Sequence, residues 1–344
     1  MGGRIILADP RGFCAGVDRA ILAVRTILAS SRREDGRPPV YVRRQIVHNR
    51  HVVEELAGQG AVFVEELEDI PQEDVEAGVP VVFSAHGVSP DVQSQAKARG
   101  MRIVDATCPL VSKVHREVQR FVREGYEIVY IGHHGHDEAV GVIGEAPGHV
   151  HLVDGPEDLG ALDFPSTQRL VLLTQTTLSV DETADLSAAI RGRFPWIEEP
   201  PSSDICYATQ NRQTAVKLVA RRSDAVVIVG SANSSNSVRL MEVAREELGG
   251  RGGAWRIDDA GELRRDWFEG VSTVGVSSGA SVPDELVAGV VEVLGTWGYD
   301  RVEHAGGVRE TMHFVMPSQL RAHGSSERPS PSGSMAAAAR GAAV

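Results

Sequence analysis

RIVDATCPLVSKVHREVQRFVREGYEIVYIG, residues 102–132, carries the fold in miniature. An apolar run ends in the polar joint DATC, and Pro109 then suits the first position of a helix. Val111, Val114, Val118 and Phe121 recur at intervals of three and four, which puts them on one helical face. EIVYIG (127–132) returns as a second apolar run. Continuous apolar runs suit strands covered on both faces, and a helix between two of them makes a parallel crossover.

The same unit recurs about nine times along the chain. RIIL (4–7) leads to Val17, Ile21, Val24 and Leu28 on one face, and PVYVRRQIV (39–47) to HNRHVVEEL. VVFSAHG (81–87) precedes SPDVQSQAKARG, and LVLLTQTT (170–177) a helix expected from about Val180 to Arg193. AVVIVGSANSSNS (225–237) and STVGVSSGAS (272–281) close the series. The class is therefore α/β with parallel sheets. Cys14, Cys108 and Cys206 are the only cysteines, each in one of these joints and roughly a domain length apart. That regularity favours three similar small modules around a shared centre over one open sheet. The expected blocks are 1–107 with Cys14, 108–205 with Cys108 and 206–316 with Cys206. A Ser/Pro/Ala-rich tail, 317–344, reads as disordered.

Composition narrows the function classes. With 344 residues, 42% hydrophobic and 24% charged, the chain can bury a large core. No apolar run has the length of a membrane span, and the start has no signal-peptide h-region. An odd cysteine count without export signals points to a reducing, cytoplasmic setting. A net charge of −12 argues against a broad nucleic-acid surface. An anionic ligand would need positive potential gathered locally, from histidines, N–H groups and helix starts.

Each cysteine opens a helix, where the positive end of the macrodipole favours thiolate. Thiolate is what soft metals require. Three thiolates on a cubane cluster leave one iron without a protein ligand, free to meet a substrate oxygen while the cluster relays electrons. A three-cysteine zinc site and three buried structural cysteines are the alternatives, and spacing alone does not separate the metals.

The other joints are polar. SANSSNS (231–237) sets hydroxyls, an amide and fresh helix N–H groups together as an anion cradle, or simply as a capped helix start. His48, His86 and His136 each follow a strand, and their equivalent placement points to ligand binding. His133 and His134 read as local packing. Glu138 is a candidate proton donor, or else a first-turn acid complementing the helix dipole.

At this point the chain resembles a known family, the 4-hydroxy-3-methylbut-2-enyl diphosphate reductases of the methylerythritol phosphate route to isoprenoids. RGFCAGV, VHN, SAHGVS, DATCPLV, TQTTLSVDET, DICYAT-x-NRQ, GS-x-NSSNS and GAS-x-P occur in family order from about Ile5 to Leu320. The resemblance implies one [4Fe–4S] cluster per chain on Cys14, Cys108 and Cys206, with one iron lacking a protein ligand. It implies a diphosphate pocket of His48, His86, His136, Ser234, Ser235, Asn236 and Ser281. Glu138 matches the proton-delivering carboxylate, and Thr176 a threonine that organises the substrate hydroxyl. The implied partners are an allylic diphosphate substrate and a ferredoxin- or flavodoxin-like electron donor, with no nucleic acid and no membrane. The products would be isopentenyl and dimethylallyl diphosphate plus water, on a fold of three α/β modules. One stretch departs from the pattern: the family's HPEVEGT reads HDEAVGV here, so Asp137 adds negative charge beside an anion pocket and Val142 replaces a hydroxyl. A zinc hydrolase of a phosphorylated metabolite and a cluster-bearing redox sensor are the rival functions.

Overall fold

The computed structural model describes residues 2–30 and 35–321. It begins with β1 (Gly3–Leu7). β2 (Val40–Arg43), β3 (Ala61–Val64), β4 (Pro80–Phe83) and β5 (Arg102–Asp105) form a sheet in the order β3-β2-β4-β5. β6 (Tyr126–Ile131), β7 (Val150–Val153) and β8 (Arg169–Thr174) form a second, ordered β7-β6-β8. β9 (Ala225–Val229), β10 (Ala254–Ile257), β11 (Thr273–Ser278) and β12 (Tyr299–His304) take in β1 as β10-β9-β11-β1-β12. The pairings within these three sheets are parallel. Three small parallel α/β modules are therefore present.

The contiguous block 1–107 does not correspond to one sheet. β1 pairs with β11 and β12, in registers Ile5↔Val274 and Ile5↔Val302, and so belongs with the last four strands. Ile5 and Ile6 are fully buried and need a strand on either side. The next helix, Ala15–Ser30, nevertheless packs on the first sheet: Ile21, Val24 and Ile27 share a core with Val40, Val42, Val82 and Val104. The loop bearing Cys14 thus crosses from one module to another.

The elements follow from local chemistry. β4 and β9 are buried throughout, as their unbroken apolar runs require, and β11 is buried throughout together with its polar ends Thr273, Ser277 and Ser278. The helix Val180–Arg193 has the expected bounds. Asn49, Ser89, Ser179 and Ser234 cap their helices by accepting from Val52, Val92, Glu182 and Ser237 N–H. At the C-terminal end, Ser318–Leu320 forms a short 3-10 turn, and Leu320 and Met316 pack on the first module's core. Order therefore extends a few residues past Pro317, and the rest of the expected tail, 322–344, lies outside the described residues. No described helix is long and apolar enough to cross a membrane.

Candidate active site

The three cysteines are placed by one repeated device. Each carbonyl begins a helix, accepting from Asp18 (2.9 Å), Ser112 (2.9 Å) and Gln210 (3.1 Å) in turn. Each cysteine N–H donates to another strand-end joint: Cys14 to Ala280 O (3.1 Å), Cys108 to Ala85 O (2.9 Å) and Cys206 to Thr176 O (3.0 Å). Because each joint carrying pocket residues anchors a helix start carrying a thiol, all three sulfurs face one cavity of about 100 Å³. Gly16 makes the approach possible, since a Cβ there would lie 2.6 Å from Cys108 Sγ and 3.9 Å from Cys14 Sγ.

Cys108 and Cys206 do not behave as helix position alone suggests. Burial, reinforced by the neighbouring Cys14, pushes Cys108 up to about 12 and Cys206 to about 11. Amide bonds at the helix starts act in the expected downward direction but lose to desolvation. In the free chain these two groups are therefore thiols, and deprotonating them falls to whatever cation they bind.

Histidines from three joints meet in the same cavity. His48 and His86 stack with ring centroids 3.8 Å apart, and His136 sits edge-on at 5.3 Å from His48 and 6.0 Å from His86. Burial lowers His48, holds His86 well below the usual imidazole range and brings His136 to about 4. At neutral pH the free pocket therefore offers N–H donors rather than fixed cations. His136 Nδ1 accepts from the Glu138 N–H at 3.1 Å, which leaves its proton on Nε2.

Ser234 caps the helix Ser235–Leu248, and Ser281 donates to His48 O at 3.0 Å. Asn236 is 5% exposed, and both its amide atoms lack partners, as does His48 Nε2. Buried polar atoms without partners are costly, so three of them at one cavity wall point to a polar ligand. Glu138 is 2% exposed; its oxygens accept from Thr176 N–H at 2.8 Å and Thr176 Oγ1 at 3.0 Å. Burial lifts this carboxyl to about 7, against the pull of the Thr176 bonds.

All twelve residues singled out in the sequence line this cavity. His133 does not: its Nδ1 pairs with Asp154 Oδ1 at 2.8 Å, and the His134 N–H donates to the same carboxylate. Val142 faces the second module's apolar core, so its lost hydroxyl does not touch the pocket. Thr209, whose hydroxyl lies 3.2 Å from Cys206 Sγ, went unread, although it follows that cysteine by one helical turn. So did Arg212, fully buried, which donates to Gly12 O at 2.7 Å and Glu310 Oε1 at 3.0 Å. It ties the Cys206 helix to the Cys14 loop; the NRQ run contains it, but nothing local shows that it is buried.

The donor set fits an iron–sulfur cluster, with three soft ligands lining one cavity. Among the described residues, the one set of three donor atoms all within 4.8 Å of one another is His48, His86 and Asp137, not the three sulfurs. Arg44 already occupies that carboxylate.

The chain is similar to known proteins over nearly its whole length. A 4-hydroxy-3-methylbut-2-enyl diphosphate reductase of Bifidobacterium longum is 68% identical over 323 residues, covering 92% of each chain. One from Mycobacterium tuberculosis, 4-hydroxy-3-methylbut-2-enyl diphosphate reductase 2, is 53% identical over 319 residues, 92% of this chain and 91% of its own. The solved structure of the E-1-hydroxy-2-methyl-but-2-enyl-4-diphosphate reductase from Plasmodium falciparum superposes with a TM-score of 0.86 at 35% identity, covering 93% of this chain and 97% of that one. The model of the LytB protein family matches residues 5–295, and with these relatives it establishes that the chain belongs to the LytB family.

Proposed function

We propose that the chain reduces 4-hydroxy-3-methylbut-2-enyl diphosphate to isopentenyl and dimethylallyl diphosphate, releasing water. The observation that carries this reading is that thiols, imidazoles, a Ser/Asn helix start and a buried acid share one cavity. The names of relatives at 53% and 68% identity support it. A [4Fe–4S] cluster on Cys14, Cys108 and Cys206, with one iron free of protein ligands, supplies single-electron transfer and a Lewis acid for the substrate hydroxyl when bound.

The remaining roles follow from the geometry. Imidazole N–H groups, Ser234, Ser235, Asn236 and Ser281 hold the diphosphate, with the helix start adding dipole and amides. Thr176 orients the substrate hydroxyl and fixes the Glu138 carboxyl. Glu138, near half-protonation at neutral pH, delivers a proton to the departing oxygen. The net change consumes two electrons and two protons: the hydroxyl leaves as water, and one proton ends on carbon at either end of the allyl unit. A ferredoxin- or flavodoxin-like carrier in the cytoplasm delivers the electrons singly. Anaerobic purification tests the reading. Iron with sulfide, and water-releasing turnover of the allylic diphosphate with a reduced artificial donor, support it; zinc without sulfide, or a cluster without turnover, overturns it.

A further inference from the structure

The joint after β2 contains Arg44, at φ 53° the one non-glycine residue with positive φ among those described. L-residues rarely adopt this region, and it persists only where the surroundings over-determine it. Here the Arg44 N–H donates to Val64 O at 2.6 Å, which fixes the backbone. The guanidinium then reaches from the first module to Asp137, the first residue of the helix Asp137–Glu145 in the second. Its other arm meets Glu66 Oε1 at 3.3 Å. The free oxygen of Asp137, Oδ2, lies 3.9 Å from His86 Nδ1, and His86 stacks on His48. A largely buried carboxylate therefore stands directly behind the two imidazoles.

We infer that Arg44 is a positioning residue for the diphosphate: its ion pair with Asp137 cancels the charge behind the His48–His86 stack, so that an anion can enter. This rests on the substrate reading above. Arg44 does not line the cavity and acts through the carboxylate. Without the guanidinium, a poorly solvated negative charge would face an incoming anion.

The test uses cluster-loaded enzyme and steady-state kinetics with the allylic diphosphate. In R44Q, KM rises on the order of tenfold while kcat stays within about twofold, because the loss falls on anion entry. In R44K, which keeps the charge, KM stays within about threefold of the parent. D137N shows no rise, and R44Q/D137N returns to within about twofold of D137N, since no carboxylate remains to be neutralised. Competitive inhibition by inorganic diphosphate follows the same order, with iron and sulfide contents unchanged. A purely structural role for Arg44 at its strained turn would not be rescued by removing Asp137. A parental KM in R44Q, or a double variant weaker than D137N alone, overturns the proposal. Should R44Q alone fail to load iron, the comparison of R44Q/D137N with D137N decides. Failure of the parent enzyme to turn over the allylic diphosphate is a separate result and removes the functional reading itself.

Discussion

Replacing Glu138 by Gln tests the proton path, and its consequences can be worked from the geometry. The carboxyl is buried and lifted from 4.5 to about 7, so close to half of it carries a proton at pH 7 and about a tenth at pH 8. The acid form is the donor; it predominates below pH 7 and is lost above. kcat/KM of the parent enzyme should therefore be level below about pH 6 and fall about tenfold per pH unit above about 8. Gln keeps the size and can still accept the Thr176 N–H bond, so the pocket walls stay in place. Turnover should drop about 10²-fold or more, the scale of general acid catalysis, with KM within about threefold, and the alkaline limb should disappear. Thr176→Val sharpens the test. It deletes the Oγ1 bond to Glu138, which favours the ionised form. A hydrogen bond to a charged group contributes about 1.5–3 kcal/mol, and one pH unit corresponds to about 1.4 kcal/mol, so the limb should move up by about one to two units. The assay is a pH series of anaerobic initial rates with a reduced artificial donor, at matched cluster content. If Glu138→Gln keeps the alkaline limb, or Thr176→Val moves it to lower pH, Glu138 is not the proton donor.

Other outcomes follow from the packing. Gly16→Ala should stabilise its helix intrinsically by about 0.5–1 kcal/mol yet lower the iron and sulfide content, because the new methyl meets Cys108 Sγ; full cluster loading in this variant would contradict the sulfur placement. Asn236→Ala should raise KM for the diphosphate about tenfold, while thermal stability holds or improves, since the amide atoms it removes are buried and unpartnered. A marked fall in melting temperature would mean that Asn236 serves the fold instead. Cys108→Ser should keep native circular dichroism but lose iron and sulfide, as a buried hydroxyl is a poorer soft-metal ligand than thiolate.

Much of this site was legible because each pocket residue occupies a fixed place in a local pattern. A strand end followed by a helix start is written in periodicity, and Pro109, Ser234 and His136 mark helix starts by their own chemistry. What was missed depends on distant neighbours. Arg212 reads as an exposed helical cation until Gly12 and Glu310 close around it. Arg44 reads as one of two arginines after a strand, and Asp137 as an unwelcome charge, until the two are seen paired.

The sequence by itself determined the class of fold, the three evenly spaced cysteines and the polar joints, since these rest on spacing along the chain and on side-chain type. Only the tertiary structure decided that β1 joins the last four strands, because strand pairing is a contact between residues far apart in sequence. Only burial decided the charge states. Desolvation depends on everything packed around a group, and here it overrides the helix start at Cys108 and Cys206, neutralises the histidines and raises Glu138 to the range in which it can give up a proton.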